Sequence, residues 1–145
     1  MNVETILRSK GRDVATIEQH ASLTDAVAQL RDRAIGALVV SADGRRIDGI
    51  ISERDVVRAL AAHGASALGR TVASVMSTAV VTCRREDSVE ELMASMTESR
   101  FRHLPVVDDD MALAGIISIG DVVKARLRQL QQENEALTEY IHHGR

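Results

Sequence analysis

The sequence predicts an α+β fold of two β-α-β-β-α repeats related by a pseudo-twofold axis, with an extended helix at the C-terminus. A shift of 66 residues aligns residues 14–59 with residues 80–125 without a gap, and fifteen aligned positions are identical. Apolar stretches, helix-start signals and turns follow in the same order in both copies. We therefore expect one repeat in residues 1–66, a second in residues 67–127, and a helical extension in residues 128–145.

Each repeat is predicted to start with a short apolar strand, in residues 14–17 and 80–83. A capping-box pattern follows each strand, in which Ser22 or Ser88 precedes an acidic residue by three positions. Apolar residues then recur at the spacing of one helix face. An amphipathic helix is therefore expected to begin at each of these serines.

Two further strands and a second helix complete each repeat. The strands are predicted in residues 37–40, 47–51, 104–107 and 113–117, with polar turns inside each pair. The closing helices are predicted to begin at Glu53 and at Ile119. Because such a unit leaves one sheet face uncovered, the two units are expected to pack together.

The C-terminal segment has the pattern of a coiled coil. It contains no Gly or Pro between Asp121 and His143, and good helix formers dominate it. Its apolar residues and one asparagine alternate in steps of four and three, at Val123, Leu127, Leu130, Asn134, Leu137 and Ile141. Asparagine at an a position with leucine at d positions favours a parallel two-stranded pair. The alternative is an amphipathic helix that folds back on its own domain.

The composition excludes several classes of protein. Aromatic residues make up 1% of the chain and the formal net charge is −3, so neither base stacking nor electrostatics supports nucleic-acid binding. The only cysteine, Cys83, excludes an internal disulfide and a multi-cysteine zinc site. No apolar run approaches the roughly 18 residues of a membrane span. We expect a cytoplasmic protein with no metal site and no membrane partner.

No catalytic signature stands out in the sequence, and we expect a protein that is not an enzyme. A repeated Ser-x-x-Asp pattern, Ser52 with Asp55 and Ser118 with Asp121, joins a buried strand to a helix in each repeat. One interpretation is a capping box at each helix start. The other is a ligand site, since α/β structures bind ligands at the carboxyl ends of strands. A carboxylate there can accept both hydroxyls of a ribose, and a helix N-terminus suits phosphate.

The tandem pattern resembles a pair of CBS domains, also called a Bateman module. Residues 49–57 read Gly-Ile-Ile-Ser-Glu-Arg-Asp-Val-Val, and residues 115–123 read Gly-Ile-Ile-Ser-Ile-Gly-Asp-Val-Val. Residues 101–108, Phe-Arg-His-Leu-Pro-Val-Val-Asp, also resemble the family pattern. The resemblance covers almost the whole chain. It implies binding of adenosine-containing ligands in clefts between the repeats: AMP, ADP or ATP, and in some members NAD or S-adenosylmethionine.

The resemblance also implies which residues would line those clefts. The two aspartates would accept the ribose hydroxyls, the serines would lie near ribose or phosphate, and basic residues before the Leu-Pro strand would contact phosphate. The threonines of the first strands would line the cleft, and the backbone beside them would contact the adenine edge. The expected set is Thr16, Ile17, Gly36, Ala37, Ser52, Arg54, Asp55, Thr82, Cys83, Arg102, His103, Pro105, Ser118 and Asp121.

The two clefts are expected to differ chemically. Gly36 and Ala37 of the first repeat align with Arg102 and His103 of the second, whereas Arg54 aligns with a glycine. Two functions remain open. One is a sensor of adenine nucleotides that forms a homodimer and signals through dimer contacts or an unidentified regulated protein. The other is a purely structural dimerisation module without a physiological ligand.

Overall fold

Both halves of the chain follow the predicted β-α-β-β-α order, although the first strand of the second half is reduced to a single bridge. In the computed structural model, which describes residues 1–144, the elements in chain order are α1 (Val3–Lys10), β1 (Thr16–Ile17), α2 (Leu23–Arg33), β2 (Ala37–Val40), β3 (Gly49–Ser52), α3 (Glu53–His63), α4 (Val72–Val75), α5 (Val89–Ser99), β4 (His103–Val107), β5 (Leu113–Ser118) and α6 (Ile119–His143). A 3₁₀ helix (Gly64–Gly69) joins α3 to α4. The predicted α+β fold of two repeats with a C-terminal helix is confirmed.

The two sheets differ in size because the first strands differ. In the first repeat β1 runs parallel to β2, which pairs antiparallel with β3. In the second repeat β4 and β5 pair antiparallel, and Cys83 forms one parallel bridge with Val106 where β1 would lie. The strands predicted in residues 14–17 and 80–83 are therefore shorter than expected, because few of their backbone groups reach a partner strand.

The helix starts follow from local side-chain chemistry. Ser22 accepts a hydrogen bond from the backbone N–H of Asp25 at 3.1 Å, and Ser88 accepts one from Glu91 at 3.3 Å. These bonds satisfy N–H groups that have no partner inside a helix. The capping-box pattern therefore predicted the beginnings of α2 and α5 correctly.

The apolar residues form two cores, and each core takes a short helix from the other half of the sequence. Val72 of α4 packs with the buried residues of β2, β3, α2 and α3. Val3, Ile6 and Leu7 of α1 pack instead with the buried residues of α5, β4, β5 and α6. The two repeats have therefore exchanged their first helices.

Backbone hydrogen bonds tie both exchanged helices in place at equivalent positions. The N–H of Val72 donates to the Ala21 carbonyl at 2.8 Å, and the N–H of Val3 donates to the Asp87 carbonyl at 3.0 Å. Each exchanged helix also presses on a glycine shared by the two repeats. A Cβ on Gly115 would lie 2.8 Å from the side chain of Leu7. The domain boundaries predicted at residues 66 and 127 follow the sequence repeat and stay predictions. Both packed cores contain residues from either side of residue 66.

The last helix, α6, packs in the second core through its first turns and is exposed throughout from Gln131 onward. It has 25 residues, which corresponds to roughly 37 Å at the rise of an α-helix. Every residue from Gln131 to Gly144 is exposed, and Leu137 is 58% exposed. The alternative in which this helix folds back on its own domain is therefore wrong. Among residues 1–144, no helix is both long and apolar enough to cross a bilayer.

Candidate functional site

The repeated Ser-x-x-Asp pattern forms a true capping box at the start of α3. The backbone N–H of Ser52 donates to Asp55 Oδ2 at 2.9 Å, and the Asp55 N–H donates to Ser52 Oγ at 3.4 Å. The Ser52 hydroxyl also donates to Asp55 Oδ2, at 3.0 Å. Within residues 1–144, Asp55 Oδ1 accepts no hydrogen bond. Capping and ligand binding are therefore compatible, because the carboxylate keeps one oxygen free.

A cleft of about 700 Å³ opens beside this carboxylate, and we call it the Asp55 cleft. The first repeat contributes Gly36 and the segment from the end of β3 through the first turns of α3. Residues 77–81, which lead from α4 into the second repeat, form another wall. Residues 99–103, at the end of α5 and the start of β4, close the opposite side. The cleft therefore lies between the two repeats, where the resemblance placed it.

The charge of the Asp55 cleft is predominantly positive. Four guanidinium groups line it, those of Arg54, Arg58, Arg100 and Arg102, against the carboxylates of Glu53 and Asp55. No salt bridge within the described part of the chain neutralises any of these arginines. Since guanidinium groups bind phosphate in a forked geometry, this wall suits an anionic ligand.

His103 stands where the two repeats meet. A Cβ on Gly36 would lie 3.1 Å from ring atoms Cε1 and Nε2 of His103, so glycine leaves space for the imidazole. Burial lowers the pKa of His103 below its usual 6.5, although the Glu53 carboxylate opposes this shift. The ring therefore favours its neutral form more than an exposed histidine does, and it can form a hydrogen bond with a ligand.

The equivalent aspartate of the second repeat is already paired within the protein. Asp121 Oδ2 accepts hydrogen bonds from the Ser118 N–H at 2.9 Å and from Lys10 Nζ at 2.7 Å. Burial by itself would raise the pKa of Asp121, but the bonds from Lys10 and Ser118 outweigh it and hold that pKa below its usual 3.8. Asp121 faces a groove of about 510 Å³ between α1 and α6. The two repeats therefore present their aspartates in different states.

The predicted site residues fall into three groups. Those that line the Asp55 cleft are Gly36, Ser52, Arg54, Asp55, Arg102 and His103. Those buried in the two sheets are Ile17, Ala37, Cys83 and Pro105, and only their backbone is available to a ligand. Those outside the lining of this cleft are the half-buried Thr16 and Thr82 and the second pair, Ser118 and Asp121.

Cys83 illustrates why a buried member of this set contributes no side-chain chemistry. Its side chain is 3% exposed and packs in the second core. Burial, with a smaller contribution from the Asp87 charge, raises the pKa of the thiol to about 12. The thiol is therefore protonated at neutral pH and behaves as a small apolar group.

The structure adds residues that the sequence patterns did not single out. Arg58 lies one helical turn after Arg54, on the same side of α3, and that i,i+4 spacing is a signal that could have found it. Arg100 ends α5 with a positive φ of 59° and lies in the cleft wall. Lys10 has no such signal, because it reaches Asp121 only through the exchanged helix α1.

The fold and the site define a class of protein: a tandem α+β module with an acidic residue in a basic cleft between its repeats. The family model described as "CBS domain" matches residues 4–62 and 72–128. The chain belongs to the CBS domain family.

Individual relatives agree with this assignment. The chain is 32% identical over 152 residues to the mitochondrial CBS domain-containing protein CBSX3 of Arabidopsis thaliana, covering 98% of the chain and 72% of that protein. The crystal structure of the CBS-domain containing protein ATU1752 from Agrobacterium tumefaciens matches with 44% sequence identity and a TM-score of 0.83. The match covers 87% of this chain and 99% of the ATU1752 chain. The crystal structure of CBSX2 in complex with AMP matches with 28% sequence identity and a TM-score of 0.69. That match covers 79% of this chain and 88% of the CBSX2 chain.

Proposed function

We propose that this chain is a regulatory module that binds an adenosine-containing ligand in the Asp55 cleft. AMP, ADP and ATP are the first candidates, with NAD and S-adenosylmethionine as further ones. The observation that carries the proposal is the free oxygen of Asp55 in a cleft of about 700 Å³, lined by four arginines that form no salt bridge within residues 1–144. The AMP complex of CBSX2, a relative with the same fold, supports it.

Each wall of the cleft has a part in this proposal. The Asp55 carboxylate would accept a hydrogen bond from the ribose, and the arginines would hold the phosphate. The backbone of residues 79–81 would contact the adenine edge, and the apolar side chain of Val80 in the lining would cover the ring. Thr16 and Thr82, which the resemblance also implies, would contribute from the first strands.

Thermal unfolding with and without candidate ligands tests the proposal. A ligand at 100 times its dissociation constant stabilises the folded state by about 2.7 kcal/mol, since it binds only that state. We expect AMP or ATP to raise the melting temperature and NAD or S-adenosylmethionine to serve as comparisons. If no adenosine compound stabilises the protein at millimolar concentration, the structural dimerisation module is the better description.

We further propose that the module acts by binding rather than by catalysis and that it works in the cytoplasm. It would form a homodimer and contact a regulated protein that is still to be identified. Exposed apolar side chains on α3 and α6 support the dimer. They are Val57, Leu60, Val123 and Leu127, of which Val57 is 63% exposed. A water-exposed stripe of this kind gains free energy when a second copy covers it.

Removal of the end of α6 is expected to weaken the dimer. Truncation after Arg128 deletes Leu130, Asn134 and Leu137, the exposed seam that the heptad pattern assigns to the partner helix. We expect the dimer dissociation constant to rise by at least about tenfold, since loss of about 1.4 kcal/mol of contact suffices for that change. Sedimentation velocity at micromolar concentration measures it.

A second truncation, after Ile141, keeps the whole seam and serves as the matched control. We expect it to dimerise like the full chain. Equal dimer affinity and thermal stability for the Arg128 truncation and the full chain would show that the seam does not join two copies.

A further inference from the structure

The exchanged helices α1 and α4 approach the two sheets differently. From Val3 to Val14 the chain advances eleven positions, but only eight from the equivalent Val72 to Val80. In the first repeat the short connection lets the backbone N–H of Ser77 donate to the Ile50 carbonyl at 2.9 Å. In the second repeat the equivalent carbonyl, that of Ile116, accepts instead from Lys10 Nζ at 3.0 Å. In the second repeat a lysine side chain therefore donates the hydrogen bond that a backbone N–H donates in the first repeat.

The same ammonium group also occupies the aspartate. Lys10 Nζ lies 2.7 Å from Asp121 Oδ2, whereas the equivalent Oδ2 of Asp55 accepts from the hydroxyl of Ser52. The side chains of Lys10 and Asp121 are 33% and 24% exposed, so the pair is sheltered but reachable. No cation within the described chain forms a salt bridge with Asp55. Asp121 is therefore paired with a cation and Asp55 is not, while Oδ1 of each carboxylate accepts no hydrogen bond within residues 1–144.

A ribose that engages both oxygens of Asp121 would have to compete with Lys10 for Oδ2. A ligand hydroxyl that donates to this carboxylate adds little while the ammonium neutralises it, and displacing the ammonium breaks its bonds to both Asp121 and Ile116. The second repeat also has Gly120 where the first has Arg54. It therefore lacks the guanidinium that Arg54 provides beside Asp55, and the cations that line the groove at Asp121 are Lys10, Lys124 and Arg128.

We propose that Lys10 is an internal competitor that closes the Asp121 position to a ribose, so that each chain binds a single adenosine ligand, at Asp55. This inference rests on the proposed function. It adds the number of ligands bound per chain and the residue that sets this number. Lys10 is thus a specificity-determining residue that acts by occupying a carboxylate. The chain-length difference between the two connections is what places it there.

Calorimetric titration with AMP tests this inference on three proteins. The wild-type chain and Arg8→Met are expected to bind one AMP per chain. Arg8→Met is the matched control, since it removes a cation from the same helix whose nearest carboxylate is Glu4, at 3.5 Å. Lys10→Met is expected to bind a second AMP, with affinity at that site raised on the order of 10- to 100-fold. Adding Asp121→Ala to Lys10→Met should remove the second site again.

Several outcomes separate this inference from the function on which it rests. Two sites in the wild-type chain, one of them lost in Asp121→Ala, would overturn the role of Lys10 and leave the proposed function intact. A single AMP site in Lys10→Met would also overturn the role of Lys10, provided that thermal unfolding shows this variant to be folded. Lys10→Gln, which keeps a polar group, replaces Lys10→Met if that variant does not fold. Absence of AMP binding in all of these proteins would overturn both the proposed function and this inference.

Discussion

Replacement of Asp55 by alanine is expected to lower the affinity for AMP by roughly 10- to 150-fold, because a hydrogen bond to a charged group contributes about 1.5–3 kcal/mol. The Asp55 carboxylate lines the Asp55 cleft, and within residues 1–144 its Oδ1 accepts no hydrogen bond. Asp55→Asn, which keeps an acceptor oxygen without its charge, is expected to lose less. Calorimetric titration of each variant with AMP measures the effect.

A matched control must remove an acidic group from a helix start without touching the cleft. Asp25 suits this purpose, since it occupies the third position of α2 just as Asp55 does in α3. We expect Asp25→Ala to bind AMP like the wild-type chain. If Asp55→Ala also binds AMP with wild-type affinity, the motif is a capping box and nothing more.

The largest expected effect on stability is that of Leu7→Ala. Leu7 is 1% exposed and lies in the second core, packed against Gly115 of β5. Truncation of a buried leucine to alanine costs about 2–5 kcal/mol, because apolar contacts are lost and a cavity remains. Urea denaturation should show a free energy of unfolding lowered by that amount.

Leu137→Ala provides the comparison for Leu7→Ala. Leu137 is 58% exposed on the protruding part of α6, and surface substitutions generally change stability by less than about 0.5 kcal/mol. The comparison is made at a concentration below that of dimer formation. A loss of under about 1 kcal/mol for Leu7→Ala would contradict the exchanged packing of α1.

Features encoded by neighbouring residues were predictable from the sequence. The strand at residues 37–40 and the helix starts at Glu53 and Ile119 agree with the structure. The reason is physical: a serine and an aspartate three residues apart satisfy the first N–H groups of a helix without help from the rest of the fold. The same locality made Asp55 recognisable as a candidate site residue.

Features that depend on distant packing were not predictable in this way. The apolar run at residues 80–83 forms only a single bridge, because pairing of a parallel strand is decided by its partner and not by its own sequence. Nothing in the heptad or strand patterns indicates that α1 crosses to the second core. The Lys10–Asp121 contact joins residues 111 positions apart and is a consequence of that crossing.

The exchange of first helices determines when each core can be completed during synthesis of the chain. Helix α1 is synthesised first, yet the core that receives it is complete only after Val122 has left the ribosome. The first repeat likewise waits for Val72, which follows its last strand and helix along the chain. Because each core lacks a helix until the other half has been made, a cut between the repeats leaves two incomplete pieces. Neither repeat can be transplanted alone into another protein with its own core intact.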